Sequence, residues 1–341
     1  SAFADDIIKK YSYIDAVIKG EGEKSIVELA QKIHSQDKNL SSVSNLRWRK
    51  NGKIVKNKKI WFANEEELNS YSFDALKYLK NYERYLKFPF IYNYNAEKPD
   101  EINYRKKSSF VCCLGRGCPG NCSWCGGGYE AMKKITGRNC VTLRSPKIAA
   151  KEFINFKKKY NLDEYYFCFD PFPKNQQYLI ELFEILGKEM PNKIDIMFEC
   201  FGLPTKEFID SFKKNLGKDS QIIISPEFAS EELRKEHRAF WFSNRELFDC
   251  LEYLIKKEVK TLLYFSVLPF ESDEDKKATK ELINKIMIDK RSEFVEAINQ
   301  QINDIEPYCP LALNAEKYGI TLRLKTLEDY INNSKGHRDL L

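Results

Sequence analysis

The sequence predicts an α/β fold built on a parallel sheet, and three observations carry that prediction. From about Ser109 onward, short β-rich runs alternate with amphipathic helical stretches. The β-rich runs are nearly continuous in apolar residues, as strands buried on both faces must be. The segments between them are long enough for crossover helices, which parallel strands need because a tight turn cannot join them.

The strand candidates are SSFVCCL, EYYFCFD, IDIMFEC, QIIISPE and TLLYFSVLP, with a weaker sixth around QINDIEP. Between them lie SPKIAAKEFINFKKKY, NQQYLIELFEILGKEM, TKEFIDSFKKNL, SNRELFDCLEYLIKKE and DEDKKATKELINKIM, each with apolar residues at helical spacing. Ser145-Pro146, Thr205, Ser243 and Asp273 are the start signals. A side-chain oxygen there accepts a free N–H of the first turn, and a proline has no N–H to leave unpaired. Six such units fit either an open doubly wound sheet or a partial barrel. In both, ligands sit at the carboxyl ends of the strands.

The first hundred residues differ. YIDAVIKGEGEKSIVELAQKI reads as a strand, a Gly turn and a helix, and NLRWRKNGKIVKNK as a hairpin around Asn51-Gly52. ELNSYSFDALKYLKNYERYLKF then leads irregularly toward a cysteine-rich loop. The expected division is a lead-in over 1–105, the α/β body over 106–310 and a C-terminal extension over 311–341.

Composition narrows the class. Of 341 residues, 43% are apolar and 13% aromatic, enough for a sizeable core. No run approaches the ~18 apolar residues of a membrane span. The start, SAFADDIIKKYSYIDAVIKGEGE, lacks a basic end, an apolar stretch and a cleavage site, so the cytoplasm is the expected compartment. With 56 basic and 50 acidic residues the surface is mixed and mildly basic. KNGKIVKNKK reads as solvated hairpin, and the excess of Lys over Arg argues against a nucleic-acid partner. The three histidines, His34, His237 and His337, stand in no paired spacing, which speaks against a His-rich metal site.

Five of the ten cysteines, Cys140, Cys168, Cys200, Cys250 and Cys309, are dispersed among apolar neighbours and read as small core residues. The other five crowd into CCLGRGCPGNCSWCGGG, residues 112–128. Cys118, Cys122 and Cys125 are spaced C-x3-C-x2-C, one ligand short of a tetrahedral zinc site. Cys112 and Cys113 lie in the strand, where alternation sends them to opposite faces, so at most one could complete such a site. A redox pair of Cys122 with Cys125 leaves Cys118 unexplained. A phosphate cradle would need a Gly-Lys-Ser/Thr ending. Three thiolates can hold three irons of a 4Fe–4S cluster and leave the fourth open, as a catalytic metal requires. Gly117, Pro119 and Gly120 let the backbone wrap the core, and Gly126, Gly127 and Gly128 leave backbone groups for a ligand to approach.

RGCPGNCSWCGGG resembles the radical S-adenosylmethionine (radical SAM) motif, C-x3-C-x-aromatic-C, with Trp124 at the aromatic position. The resemblance implies a partial (β/α)6 TIM-like barrel whose cluster loop follows the first strand. It also implies a 4Fe–4S cluster on Cys118, Cys122 and Cys125, with S-adenosylmethionine chelating the open iron and cleaved by one electron to a 5′-deoxyadenosyl radical. The Gly-Glu-Gly-Glu stretch is similar to the segment that joins a cobalamin-binding domain to the barrel in the cobalamin-associated branch. LRSPKIAAKEF, ISPEFASEELRKEHRAFWFSNREL, LPFESDED and PYCPLALNAEKYGI resemble the same branch, so the likeness runs from Tyr13 to about Tyr330. Residues 1–105 then read as the remnant of that junction plus a hairpin, and the chain as a fragment. Three features depart from the branch. Its Gly-Gly-Glu is Gly126-Gly127-Gly128 here, its Gly-x-Pro-Gly-Glu is VLPFES with Val267 and Phe270 for the glycines, and no Asp-x-His-x-x-Gly is present.

The resemblance implies a radical SAM enzyme, with cobalamin-dependent methyl transfer as the first expectation and cobalamin bound mainly by a domain outside this chain. A cobalamin-independent enzyme of methylthio-transfer, cyclisation or rearrangement comes second. A non-enzymatic iron–sulfur electron-transfer or sensor protein comes third, disfavoured because such clusters close all four irons. The expected partners are an electron donor such as flavodoxin or ferredoxin and a small-molecule or peptide substrate. At strand carboxyl ends, Asp170, Glu199, Ser225 and Glu227 are candidates for the ribose hydroxyls or the methionine ammonium. Arg238, and with less weight Arg234, are candidates for the methionine carboxylate; for Arg234 a structural role weighs more. Tyr166, Phe167, Phe169 and Phe172 could line a pocket, with core packing as the default.

Overall fold

The computed structural model describes residues 2–86, 108–171, 173, 175–190, 193–268, 270–289, 293–301 and 305–336. The chain forms two compact units, Ser1–Asn64 with Gly117–Val141 and Asp304–Leu341, and Glu65–Arg116 with Thr142–Asn303. Phe172 and His337 lie outside the described residues, as do parts of the lead-in and C-terminal expectations.

In the first unit, β1 (Ala16–Ile18), β2 (Leu46–Lys50) and β3 (Lys53–Lys56) form an antiparallel sheet in that order. Asn51 and Gly52 both take positive φ, 50° and 73°, the geometry a two-residue hairpin turn requires. The helix Glu23–His34 lays Leu29 against Val43, Leu46 and Trp48.

The second unit holds β4 (Ser109–Cys112), β5 (Gly115–Arg116), β6 (Thr142–Leu143), β7 (Glu164–Phe167), β8 (Asp195–Cys200), β9 (Gln221–Glu227), β10 (Lys260–Val267) and β11 (Val295–Gln301). β5 and β6 pair antiparallel, and the other six form one parallel sheet in the order β4-β7-β8-β9-β10-β11. Each strand of that sheet neighbours the next one along the chain. A doubly wound sheet must reverse direction at a switch point, and this one never does. The two architectures left open by strand count thus resolve to the partial barrel.

The sixth strand needs a correction. It is VEAINQQ, Val295–Gln301, rather than QINDIEP, and it runs parallel to β10 over seven pairs. An edge strand has only one neighbour and needs no continuous apolar run, so its composition hid it. Another correction concerns a helix start. Asp273 lies inside its helix, and Ser272 is the cap, its hydroxyl accepting the Asp275 N–H at 3.1 Å. Thr205 and Ser243 cap as expected, the latter in a reciprocal box with Glu246.

Alternation along the strands divides the second unit's interior. Tyr165, Phe167, Ile196, Phe198, Ile222, Ile224, Leu263 and Phe265 pack with helix residues such as Phe153, Phe183 and Phe212. The opposite face of the sheet carries Tyr166, Met197, Ile223, Leu262, Tyr264 and Ile298. Thus Tyr166 lies on the inner face, and Phe167 and Phe169 belong to the outer core. Cys200 and Cys309 are buried and Cys168 and Cys250 half-buried, but Cys140 is exposed. At Cys140 it is the backbone that packs: its carbonyl oxygen would stand 2.4 Å from a Cβ at Gly117, which takes φ +89°.

Candidate functional site

The cysteine loop belongs to the first unit. Cys118, Cys122 and Cys125 are half-buried and in no disulfide, whereas Cys112 is buried and Cys113 exposed, as strand alternation requires. The Gly120 N–H donates to Cys118 Sγ at 3.4 Å and the Gly127 N–H to Cys125 Sγ at 3.3 Å. Such donors favour a sulfur that carries negative charge. Burial pushes the Cys125 thiol up to about 12, with the Gly127 amide opposing and Glu306, Cys122 and Cys118 adding to it. The amides of Gly126, Gly127 and Gly128 are taken by the Glu306 carboxylate, Cys125 Sγ and the Cys125 carbonyl, so the expectation of free amides is not met here.

No three described His, Cys, Asp or Glu side chains stand close enough to hold a single metal ion. A cluster puts each cysteine on a different iron and therefore needs its sulfurs farther apart than one zinc would. Three cysteines in no disulfide, with Cys125 in electrostatic range of the other two and backbone donors on two of the sulfurs, fit that donor set.

The end of the loop is anchored by a pair that sequence reasoning missed. Arg138 donates from Nε to Glu21 Oε1 at 2.6 Å, and from Nη2 to Glu21 Oε2 at 3.1 Å and the Ala63 carbonyl at 2.8 Å. Glu21 Oε2 also accepts the Ala63 N–H at 3.0 Å, and both side chains are buried. Glu21 is the first acid of Gly-Glu-Gly-Glu. Beside it, Gly20 takes φ +99°, and a Cβ there would lie 3.0 Å from Thr136 Cα. In this chain the stretch therefore has a local task, clasping the far end of the cysteine loop.

In the second unit, two acids, Glu199 and Glu227, lie in electrostatic range of one guanidinium, Arg238. Glu199 accepts the Tyr166 hydroxyl at 2.8 Å, and Glu227 accepts the Ser266 hydroxyl. Burial raises the Glu199 carboxyl and lifts Glu227 to about 7, and Arg238 opposes both shifts. Glu271, outside the expected set, is buried with its carboxyl raised by burial and adds to the Glu227 shift. One Glu271 oxygen accepts the Leu268 N–H; the other has no hydrogen-bond partner among the described residues. Arg238 donates to the Phe201 carbonyl at 2.8 Å and the Phe240 carbonyl at 3.2 Å. Asp170 is fully buried, and one of its oxygens accepts the Phe201 N–H at 2.9 Å. Ser225 is buried on β9. The place of Glu271 as the acid of VLPFES gave a signal for it in sequence; nothing in sequence ties Glu306 to the loop.

Arg234 has the structural role that weighed more. It is fully buried and donates to the carbonyls of Pro226 at 3.1 Å, Phe242 at 2.6 Å and Phe228, and to Asn244 Oδ1 at 3.0 Å. Between two of those carbonyls sits Glu227, with φ +66°. The ladder shifts there, Ile224 facing Leu263 and Glu227 facing Phe265, so β9 carries an extra residue. Phe270, in place of a glycine, stacks on His237 at 4.2 Å and 25°.

The family model described as the Radical SAM superfamily matches residues 113–283. No curated protein matches the chain. Among solved structures, the radical S-adenosylmethionine methyltransferase TsrM from Kitasatospora setae, with cobalamin and a [4Fe-4S] cluster bound, is similar. Its TM-score is 0.63 at 13% identity, covering 93% of this chain and 56% of that one. A second TsrM structure, with tryptophan substrate and a SAM analog bound, gives a TM-score of 0.62 at 14% identity, covering 92% and 56%. The chain thus spans little more than half the length of that protein. Spore photoproduct lyase is more distant, with a TM-score of 0.46 at 13% identity over 67% of this chain and 72% of that one.

Proposed function

Because the chain belongs to the radical SAM superfamily, we propose that Cys118, Cys122 and Cys125 hold a 4Fe–4S cluster and that the enzyme carries out cobalamin-dependent methyl transfer. The observation that carries the cluster assignment is the loop's donor set, three cysteines in no disulfide with backbone N–H groups aimed at two of the sulfurs. When bound, the cluster supplies an open iron and one electron for S-adenosylmethionine. Support for methyl transfer comes from the fold likeness to TsrM and from the sequence likeness to the cobalamin-associated branch.

S-adenosylmethionine carries a sulfonium and an ammonium, and the buried carboxyls of Glu199, Glu227 and Glu271 supply acceptors for such groups, with Arg238 and Arg234 as the neighbouring cations of Glu227. In this reading Glu199, Glu227, Asp170 and Ser225 accept from the cofactor's ammonium and ribose, and Arg238 faces its carboxylate. The partition into a lead-in over 1–105, a barrel over 106–310 and an extension over 311–341 belongs to the same proposal. So do cobalamin held mainly by a further domain, a flavodoxin- or ferredoxin-type reductant, a small-molecule or peptide substrate, and a cytoplasmic location. No described helix is long and apolar enough to cross a membrane.

The test is anaerobic reconstitution with iron and sulfide, followed by dithionite and S-adenosylmethionine. Formation of 5′-deoxyadenosine supports radical cleavage, and S-adenosylhomocysteine that depends on added cobalamin supports methyl transfer. 5′-Deoxyadenosine with no response to cobalamin would favour the cobalamin-independent reading. A chain that retains no iron, and in which Cys118→Ala changes nothing, would sink both enzyme readings.

A further inference from the structure

The C-terminal segment of the first unit lies along the cysteine loop at three points. The Leu311 N–H donates to the Ser123 carbonyl at 2.8 Å, the Glu306 N–H to the Trp124 carbonyl at 3.4 Å, and the Gly126 N–H to the Glu306 carboxylate. These contacts bracket Cys125. Glycine at 126 is matched to this strap: a Cβ there would stand 2.9 Å from Glu306 Cβ and 3.0 Å from the Pro307 carbonyl. The strap is itself fixed. Tyr308 turns it with φ +65°, and Cys309 caps the helix Pro310–Leu313, its sulfur accepting the Ala312 N–H at 3.3 Å. Glu306 is therefore an exposed carboxylate on a held backbone, anchored beside a cysteine that the cluster reading makes an iron ligand.

We propose that Glu306 holds down the reduction potential of a cluster on Cys118, Cys122 and Cys125, which rests on the cluster assignment above. Adding an electron makes the cluster more negative, and a fixed anion beside one ligand opposes that charge. Glu306 also occupies the Gly126 N–H, removing a donor that could otherwise stabilise the reduced cluster. Both effects act in the same direction. Solvent exposure limits the first, so the effect is moderate and depends on salt.

The test is a redox titration followed by electron paramagnetic resonance on the reconstituted full chain. Glu306→Gln keeps an oxygen for the Gly126 N–H and removes only the charge. It should ease reduction by roughly threefold to tenfold, tenfold being about 59 mV for a one-electron couple. The gap should narrow at high salt. Glu306→Ala should ease reduction further, Glu306→Asp should stay near wild type, and Glu316→Gln, an exposed acid elsewhere on the segment, should change nothing. Equal potentials in wild type and Glu306→Gln at equal iron content would overturn the proposal. So would loss of the cluster in Glu306→Gln but not in Glu306→Asp, since the carboxylate would then be needed to hold the cluster rather than to set its potential. A wild type that takes up no iron would instead overturn the cluster assignment.

Discussion

At the scale of single residues, Glu227 sits in an unfavourable setting in the second unit. It combines a left-handed backbone, burial and two neighbouring acids, and burial lifts its carboxyl from 4.5 to about 7. A carboxyl raised on folding binds more protons in the folded chain than in the unfolded one between those values. Stability from this group is therefore full below pH 4.5 and falls as pH rises toward 7. Above pH 7 a buried anion remains at a cost of about 3 kcal/mol, the opposing contribution of Arg238 being already contained in the shift. Glu227→Gln, which still accepts from Ser266, should raise the melting temperature at pH 8 and change it little at pH 4.5. Thermal unfolding of the apo protein at the two pH values checks this, and an equal change at both would refute the burial account. Such a carboxyl is placed by tertiary contacts, above all by Arg234 holding the carbonyls on either side of it.

At the scale of elements, the Gly-Glu-Gly-Glu stretch shows how a motif can be legible while its role is not. Its sequence marks a turn before a helix, and the structure adds a buried, bidentate pair between Glu21 and Arg138. Removing one partner leaves the other charge buried, at a cost of about 3 to 5 kcal/mol. Arg138→Ala should therefore destabilise the chain far more than Arg47→Ala, whose partner Asp5 is exposed. Denaturant unfolding of the two variants measures the difference, and similar midpoints would show the clasp to be weak. A proteolysis map of Arg138→Ala should show new cleavage within residues 117–141, the loop the pair anchors.

At the scale of the whole molecule, the order of the parallel sheet carries the architecture. Its strands follow one another without reversal, leaving β4 and β11 each with one partner strand among the described residues. Edge strands open more readily than central ones. Amide hydrogen exchange should thus be faster in β4 and β11 than in β8 and β9, by about tenfold or more where the central strands open only by larger unfolding. Equal protection across all six would mean that the edges are covered. The same order explains which predictions survived: apolar runs buried on both faces announced five strands, and the edge strand, with its sparse apolar residues, was displaced from its expected position.

By itself the sequence determined the alternation of strand and helix, the hairpin at Asn51-Gly52, the helix caps at Thr205 and Ser243 and the three cysteines of the loop. Each depends on residues close together in the chain, through periodicity, turn chemistry or ligand spacing. Only the tertiary structure decided that the sheet runs in one direction, that Arg234 packs around Glu227, and that Glu21 clasps Arg138. It also placed Glu306 against Gly126, 180 positions away. These are pairings of polar groups across long loops. Local sequence carries no record of which distant carbonyl or carboxylate will fill a given hydrogen bond, because packing of the intervening elements chooses the partner.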